Sequence, residues 1–192
     1  MKVVLVAPSR HTGGVKRWAA VAMLVMSACG TGRSSAAAPK SAVGARFGGS
    51  VPATVSKEVD GDTVHVHING GDEKVRFIGI NTPETHGPGG LKECYGQEAS
   101  TRMAELLPVG TKVDLVGDAD QRDKYGRLLA YVYRDSDHLF VNLVMVQEGF
   151  AEAYPFPPNV AHESEFAAAA ANARNANRGL WRACGGPHKP IN

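Results

Sequence analysis

Three short segments concentrate carboxylates, amides and arginines that a bare scaffold does not need. They are Asp-Gly-Asp-Thr at 60–63, Arg76 followed by Asn-Thr-Pro-Glu-Thr at 81–85, and Asp-Lys-Tyr-Gly-Arg at 123–127. Carboxylate and amide oxygens suit a hard divalent cation, and the planar guanidinium of arginine binds oxyanions through paired donors. A carboxylate can also accept a proton from water. The three segments therefore indicate a site that binds a cation and an anion and moves a proton.

Each segment taken alone also has a structural interpretation. An Asp-Gly-Asp sequence is ordinary turn chemistry, and Arg76 could pair with Glu58 or Glu73 on the protein surface. Glu84 and Arg127 could be solvated charges that flank loops. Their occurrence together is what favours a functional site.

The polar segments lie between short strands and amphipathic helices. Asn-Gly-Gly-Asp at 69–72 is a strong hairpin signal between two of these strands. Strands are predicted at Val55–Val59, Asp62–Ile68, Lys74–Ile80, Lys112–Val116, Leu128–Arg134 and His138–Phe140. Helices are predicted at Gln97–Leu107, Val141–Glu148 and His162–Arg178. This order indicates an α+β domain built on a small closed sheet, although order alone does not prove a barrel.

The N-terminus has the features of an export signal at residues 1–29. A basic stretch ending in Lys16-Arg17 precedes about 12 apolar residues, which is too short to span a bilayer. Two interpretations stay open: Cys29 in Met-Ser-Ala-Cys-Gly is acylated as in a lipoprotein, or the chain is cleaved after Val-Gly-Ala at 43–45. Either way we expect an exported protein, extracellular or at the cell surface.

The rest of the chain has room for one domain. Its 192 residues, 43% hydrophobic and 21% charged, are typical of a globular chain and exclude most multidomain architectures. Residues 30–50, rich in Gly, Ser and Ala, are predicted to be a flexible linker, 51–184 the domain and 185–192 a tail.

The formal net charge of +2 comes from the predicted signal. Residues 1–29 hold four bases and no acid, so residues 30–192 carry 17 bases and 19 acids. Without the N-terminus no overall basic field remains. Any affinity for nucleic acid must then come from a local cluster of arginines and lysines.

The three cysteines predict a disulfide. Removal or acylation of Cys29 leaves Cys94 and Cys184 as an even pair in an oxidising environment. We therefore expect these two to be joined, the alternative being two buried free thiols. His65 and His67 share a strand face but are interpreted as an exposed pair rather than metal ligands.

In these segments the sequence resembles the staphylococcal nuclease (thermonuclease) family, whose fold is a five-stranded OB-fold β-barrel with three helices. The resemblance runs in order from about Val51 to Trp181. It is carried by six blocks: 59–64, Arg76, 81–85, Tyr-Gly-Gln-Glu-Ala at 95–99, 123–127 and Gly-Phe-Ala at 149–151. Any one block is weak evidence for the family, but six blocks in the same order are a specific signal.

The resemblance implies a site for one Ca²⁺. Asp62, Asn81 and the main-chain oxygen of Thr82 would be its ligands, an all-oxygen set that suits a hard cation. Asn81 departs from the aspartate of the family's best-known member. The site thereby loses one negative charge, and we expect weaker metal binding rather than none.

The resemblance also implies roles for three charged side chains. Arg76 and Arg127 would clamp the scissile phosphate and stabilise charge that develops in the transition state. Glu84 would position the attacking water or act as its general base. Asp60 is interpreted as a structural or supporting residue.

Substrate contacts follow from the same resemblance. Lys124 and Tyr125 match phosphate contacts, and Tyr154 corresponds to a tyrosine of the binding pocket, although the spacing from Gly149 is one residue short. Phe156 nearby offers a stacking face for a base.

The resemblance leads to one principal functional hypothesis. It is an exported, Ca²⁺-dependent nuclease, a monomer by default, that hydrolyses DNA and RNA with low base specificity and prefers single-stranded or frayed substrate. Its only membrane contact would be the possible lipid anchor. A non-catalytic OB-fold module that binds nucleic acid, and a lipoprotein domain that serves protein contacts, remain alternatives.

Overall fold

The structure, a computed structural model, describes residues 49–191. The predicted signal and nearly all of the predicted linker lie outside the described residues. The strands are β1 (Ser50–Asp60), β2 (Thr63–Ile68), β3 (Gly71–Phe77), β4 (Ile80–Asn81), β5 (Lys112–Val116), β6 (Leu128–Arg134), β7 (Leu139–Phe140) and β8 (Glu152–Ala153). The helices are α1 (Gly96–Leu106), α2 (Val141–Gln147), α3 (Glu163–Asn175) and α4 (Leu180–Cys184), with a 3₁₀ turn at Pro88–Gly90.

Five strands close into a barrel in the order β3-β2-β1-β5-β6. All neighbours in that order are antiparallel, and a parallel pairing of β3 with β6, such as Val75 opposite Leu128, closes the ring. Closure leaves these strands no free sheet edge. The prediction of a five-stranded OB-fold barrel is confirmed.

The long first strand is shared between two neighbours. Its N-terminal half pairs with β5, with Ser50 opposite Val116, and its C-terminal half pairs with β2, with Asp60 opposite Thr63. Register shifts between Val55 and Lys57 and between Glu58 and Asp60 bend the strand. Such bulges let one strand curve around a barrel and bring its end to a new direction.

The hairpin between β2 and β3 sets the register of the site. Asn69 and Gly70 have φ of 51° and 81°. Positive φ at both central residues is the condition for a two-residue type I′ turn, and Asn-Gly meets it at low cost. The turn places Thr63 directly opposite Arg76 at the far end of the hairpin.

The barrel interior is filled by alternate residues of the strands, as a period of two requires. Val64, Val66, Val75 and Phe77 are at most 1% exposed. Three helices cover the barrel through the buried side chains Ala99, Met103 and Leu106 of α1, Val141, Met145 and Val146 of α2, and Phe166, Ala169 and Ala173 of α3.

The three predicted helices are present, but the C-terminal part of the prediction was incomplete. α3 ends at Asn175 rather than Arg178, and the short helix α4 follows Gly179. The sequence did not predict α4, because a helix of five residues is too short to show a hydrophobic periodicity. Among the helices of residues 49–191, none combines the length and apolarity needed to cross a bilayer.

Cys94 and Cys184 are joined as a disulfide, with their Cα atoms 5.9 Å apart. The bond links the segment before α1 to the end of α4 across 90 residues of sequence. In the chain-entropy treatment a loop of this length contributes about 4.6 kcal/mol by restricting the unfolded chain.

The buried side chain of Asn142 provides a test of the fold. Its Oδ1 accepts a hydrogen bond from the Val132 main-chain N–H at 2.9 Å, and its Nδ2 donates to the Ile78 carbonyl at 2.9 Å. Asn142→Ala removes both hydrogen bonds and leaves the buried Val132 N–H and Ile78 carbonyl without this partner. We therefore expect it to lower the free energy of unfolding, measured in urea, by about 3 kcal/mol. Exposed Asn172→Ala on α3 should change it by about 0.5 kcal/mol or less. A loss below 1 kcal/mol for Asn142→Ala would contradict this role.

Candidate active site

The polar segments meet where β1, β2, β3 and β4 reach the same region of the barrel. Asp62 lies in the turn between β1 and β2, and Arg76 lies in β3 opposite Thr63. The Phe77 main-chain N–H donates to the Asp62 carbonyl at 3.0 Å, which continues the pairing into the turn. The register of the β2–β3 hairpin therefore sets the two side chains side by side.

Asp62 is the buried centre of this region, with only 5% of its surface exposed. Its carboxylate forms an ion pair with the Arg76 guanidinium. Its Oδ2 also accepts from the Thr82 main-chain N–H at 3.0 Å and the Thr82 hydroxyl at 3.1 Å. Its Oδ1 accepts from the Thr63 hydroxyl at 2.9 Å. Both oxygens of the buried Asp62 carboxylate therefore accept hydrogen bonds, which offsets the cost of burying its charge.

Gly61 permits the close approach of the turn to the next segment. A Cβ at this position would lie 2.9 Å from both the Ala99 Cβ and the Thr82 Oγ1. Neither neighbour is free to move, because Ala99 is in α1 and Thr82 is 1% exposed. Glycine is therefore required if Asp62 is to reach Thr82.

Asn81 is held in place by β8. In the two-stranded pairing of β4 with β8, Asn81 is opposite Glu152, and its Nδ2 donates to Glu152 Oε1 at 3.3 Å. Its Oδ1 accepts from Arg76 Nη2 at 2.8 Å. The amide is thereby oriented, with its oxygen on the Arg76 side.

The charged side chain of Arg76 is largely shielded from solvent. Its Nη2 also donates to the Ile80 carbonyl at 3.1 Å, and only 15% of the side chain is exposed. Burial, followed by the nearby positive charge of Arg127, lowers its pKa to about 10. The guanidinium is still fully protonated near neutral pH. The interaction with Arg127 also shows that the two predicted phosphate-binding arginines share one electrostatic environment.

Glu84 follows the same segment and has a raised pKa. Partial burial is the main cause, the adjacent Asp60 carboxylate is the second, and Arg76 opposes both. The Glu84 main-chain N–H donates to Glu93 Oε2 at 3.0 Å, and its carbonyl accepts from the Glu93 N–H at 2.9 Å. This two-way contact fixes the backbone that carries the carboxylate. A raised pKa makes Glu84 a better proton acceptor than an ordinary glutamate.

Arg127 is positioned by its own turn. Asp123 accepts from the Arg127 Nε at 2.6 Å and from its main-chain N–H at 3.0 Å. The Asp123 carboxylate therefore closes the 123–127 turn and orients the guanidinium at the same time. Arg127 and Lys124 both lie near the Tyr125 ring, with the Arg127 Cζ 5.5 Å and the Lys124 Nζ 5.0 Å from its centroid.

Exposed aromatic side chains lie beside the charged groups. Tyr125 is 72% exposed and Phe156 is 67% exposed. The Tyr154 ring stacks on Phe156 with 6.5 Å between centroids, and Tyr154 interacts electrostatically with Arg76. Exposed flat rings next to two arginines can bind an unpaired base together with its phosphate.

The oxygen donors fit a hard cation. Among the described residues, Asp62 Oδ1 and Asn81 Oδ1 each accept one hydrogen bond, so each keeps a lone pair for a metal. With the main-chain oxygen of Thr82, which the family resemblance adds, they would make an all-oxygen set of the kind Ca²⁺ prefers. No group of three or more His, Cys, Asp or Glu side chains in residues 49–191 is arranged to hold a metal ion. The predicted set of Asp62, Asn81 and the Thr82 carbonyl contains a single carboxylate, that of Asp62.

The structure brings together Asp62, Arg76, Asn81 and Thr82, while Glu84 and Arg127 are near enough to act electrostatically on Arg76. Arg76 does not pair with Glu58 or Glu73, since Glu58 accepts from Ser100 and Glu73 from Arg122. Asp60, which the sequence analysis interprets as structural or supporting, acts on the Glu84 carboxyl. Sequence reasoning missed Glu93, Glu152 and His188, whose contacts carry no local signal because their partners are distant in sequence.

Comparison with known proteins agrees with this geometry. Residues 74–183 match the family described as staphylococcal nuclease homologue. The chain is 41% identical over 133 residues to the SPbeta prophage-derived endonuclease YokF and 39% identical over 137 residues to endonuclease YncB, both of Bacillus subtilis (strain 168). It is 37% identical over 127 residues to the thermonuclease of Staphylococcus intermedius.

These matches cover 68%, 70% and 66% of this chain, and 44%, 64% and 74% of the respective relatives. The chain thus spans less than two thirds of the two Bacillus proteins. The barrel and site define an OB-fold protein with an arginine-carboxylate centre. The chain belongs to the staphylococcal nuclease family.

The proximity of Asp60 to Glu84 gives a measurable expectation. Asp60→Asn removes one negative charge beside Glu84, so the pKa of the Glu84 carboxyl should fall towards its ordinary value. NMR titration of the side-chain carboxyl carbons measures the change. Exposed Asp135→Asn, on the turn after β6, should leave that pKa unaltered. An unchanged or higher pKa in Asp60→Asn would show that Asp60 does not act on Glu84.

Proposed function

We propose that this protein is a nuclease that hydrolyses phosphodiester bonds of DNA and RNA with the aid of Ca²⁺. The observation that carries the proposal is the buried Asp62–Arg76 ion pair, with Glu84 and Arg127 near enough to act electrostatically on Arg76. Membership of the staphylococcal nuclease family and similarity to proteins named endonuclease and thermonuclease support it.

The two arginines act on the phosphate. Arg76 is protonated, largely buried and oriented by three acceptors, so its reorganisation during reaction is small. Arg127 is oriented by Asp123 from the other segment. Two guanidinium groups that repel each other in the free protein gain stabilisation when an anion lies between them. This arrangement favours the extra negative charge of a five-coordinate phosphorus over the ground state.

Glu84 accepts the proton of the attacking water or fixes the water's orientation. Its raised pKa brings its basicity nearer to neutral pH, and Glu93 fixes its backbone. Asp62, Asn81 and the Thr82 carbonyl would hold Ca²⁺, which neutralises phosphate charge and polarises the phosphorus–oxygen bonds when bound. Because Arg76 pairs with Asp62 in this structure, the Asp62 carboxylate would have to serve both the guanidinium and the cation.

Substrate preference follows from the aromatic surface. Tyr125, Tyr154 and Phe156 present rings that every base can stack on, which gives contact without base specificity. A base must leave its duplex stack to reach them, so single-stranded or frayed substrate is expected to be cleaved faster.

An exported protein is the setting we infer. The disulfide between Cys94 and Cys184 fits an oxidising compartment, and the sequence of residues 1–29 is typical of a signal. The protein is then released or held at the cell surface through an acylated Cys29. A non-catalytic nucleic-acid-binding module is the second candidate, and the presence of the charged set disfavours it.

Replacement of the charged residues tests the proposed activity. We expect Glu84→Gln to lower kcat on single-stranded DNA by about 10³-fold, through loss of the proton acceptor, and Arg76→Ala to lower it by about 10³-fold, through loss of a transition-state donor. Exposed Lys112→Ala on β5 serves as the control. Cleavage of plasmid, single-stranded DNA and RNA is measured with Ca²⁺ and with a chelator. Binding without cleavage by the unaltered protein would favour the second candidate, and equal cleavage with chelator would exclude the metal.

The amide at position 81 allows a test of the cation site. Asn81→Asp adds a ligand charge but also faces Glu152, so the double variant Asn81→Asp with Glu152→Gln is the appropriate comparison with Glu152→Gln alone. We expect the added carboxylate to tighten Ca²⁺ binding about tenfold, measured by calorimetric titration. Weaker binding in the double variant would place the cation elsewhere.

A further inference from the structure

The chain after the disulfide returns to the active site. From Gly185 the tail runs antiparallel to residues 92–94, with the Cys94 N–H donating to the Lys189 carbonyl at 2.7 Å and the Ile191 N–H to the Lys92 carbonyl at 2.9 Å. The disulfide between Cys94 and Cys184 fixes its starting point. The tail is thus docked by main-chain bonds and a covalent bond.

This docking places His188 between two carboxylates. Its Nε2 lies 2.7 Å from Glu152 Oε1, and its Nδ1 lies 3.3 Å from Glu93 Oε1. His188 has φ of 55°, a left-handed conformation that is uncommon outside glycine and is held here by the flanking tail contacts. Both ring nitrogens therefore have an acidic partner, the arrangement that suits a doubly protonated imidazole.

The two partners of His188 each hold a different part of the site. Glu93 uses its other oxygen, Oε2, to accept from the Glu84 main-chain N–H at 3.0 Å. Glu152 accepts from the Asn81 side chain at 3.3 Å through the oxygen that faces His188. One ring thus connects, through one carboxylate each, to the predicted general base and to a predicted cation ligand.

We propose that His188 is a positioning residue, which clamps Glu93 and Glu152 and through them fixes the Glu84 backbone and the Asn81 amide. The proposal rests on the proposed function, because it assigns His188 a place in the same site. The contacts of His188 are with Glu93 and Glu152 rather than with the predicted phosphate-binding arginines, so its effect is on the orientation of other groups.

The clamp depends on the charge of the ring. Glu152 of β8 and Glu93 before α1 face it, with Glu84 and Asn81 behind them. Partial burial would lower the pKa of His188, but the two carboxylates outweigh burial and raise it. A histidine with a raised pKa contributes fully below its unfolded pKa, and the contribution is lost as pH rises through the folded value. Because the ring is 56% exposed, solvent moderates the effect.

Two replacements of His188 separate its contacts from its backbone conformation. Asparagine tolerates the left-handed backbone but is too short to span both carboxylates. Glutamine offers two donors without titrating. Lys189→Ala, an exposed side chain of the same tail, is the matched control. Each full-length protein is assayed for single-stranded DNA cleavage from pH 5.5 to 9, and the Glu84 N–H exchange rate is measured by NMR.

We expect His188→Asn to lower kcat about fivefold at pH 6, with the ratio to the unaltered protein returning towards one as pH rises above the His188 pKa. Glu84 N–H exchange should accelerate by about the same factor, and His188→Gln should restore at least half of the loss. An equal loss at every pH would mean that the residue is merely structural, and no change in either readout would refute the clamp.

The Glu84 N–H exchange rate separates the clamp hypothesis from the proposed nuclease function. If the unaltered protein cleaves neither DNA nor RNA, the proposed function fails, but the Glu84 N–H exchange and the NMR titration of His188 still decide whether the clamp exists. A His188 pKa at or below that of a free histidine, together with unchanged exchange, would overturn it. The raised pKa with pH-dependent exchange would support it without any catalytic assay.

Discussion

The buried contact between the Asp62 carboxylate and the Arg76 guanidinium is the interaction on which the site depends. Removal of two charges from water is costly, and each is compensated only because further partners are present: Thr63 and Thr82 for Asp62, and the Ile80 carbonyl and Asn81 for Arg76. Loss of either charge would leave the other unpaired in a dry position. The pair therefore ties the β1–β2 turn, strand β3 and strand β4 to one another.

Further charged groups of both signs lie around this pair. Asp60, Glu84, Glu93 and Glu152 form an acidic surround, and Arg127 and His188 approach it from two segments that are distant in sequence. Burial is the main cause of the raised pKa of Glu84, and repulsion by the Asp60 carboxylate adds to it. Burial also lowers the pKa of Arg76, and repulsion by Arg127 adds to that shift. If the proposed function holds, binding of a cation and an anion would relieve this repulsion of like charges.

The barrel explains how so small a chain holds this arrangement. The bulged strand β1 pairs with two neighbours, and the type I′ turn at Asn69-Gly70 fixes the register that sets Arg76 opposite Thr63. A slip of one residue would move Arg76 to the other face of the hairpin. The disulfide then fastens α4, and with it the tail, to the segment before α1. Local turn chemistry and one covalent bond thus control positions that are many residues apart.

The sequence by itself determined the five barrel strands, three helices, the hairpin turn and the polar segments, because periodicity and turn preferences are local properties of neighbouring residues. It also indicated the barrel, through the ordered resemblance to a known family. It did not predict the two-residue strand β8, which is too short to show an alternating pattern. Only the tertiary structure decided that Arg76 pairs with Asp62 rather than with Glu58 or Glu73, that Asp60 raises the pKa of Glu84, and that His188 lies between Glu93 and Glu152. Those contacts join residues up to 95 positions apart, and their energies depend on burial, which no local pattern encodes.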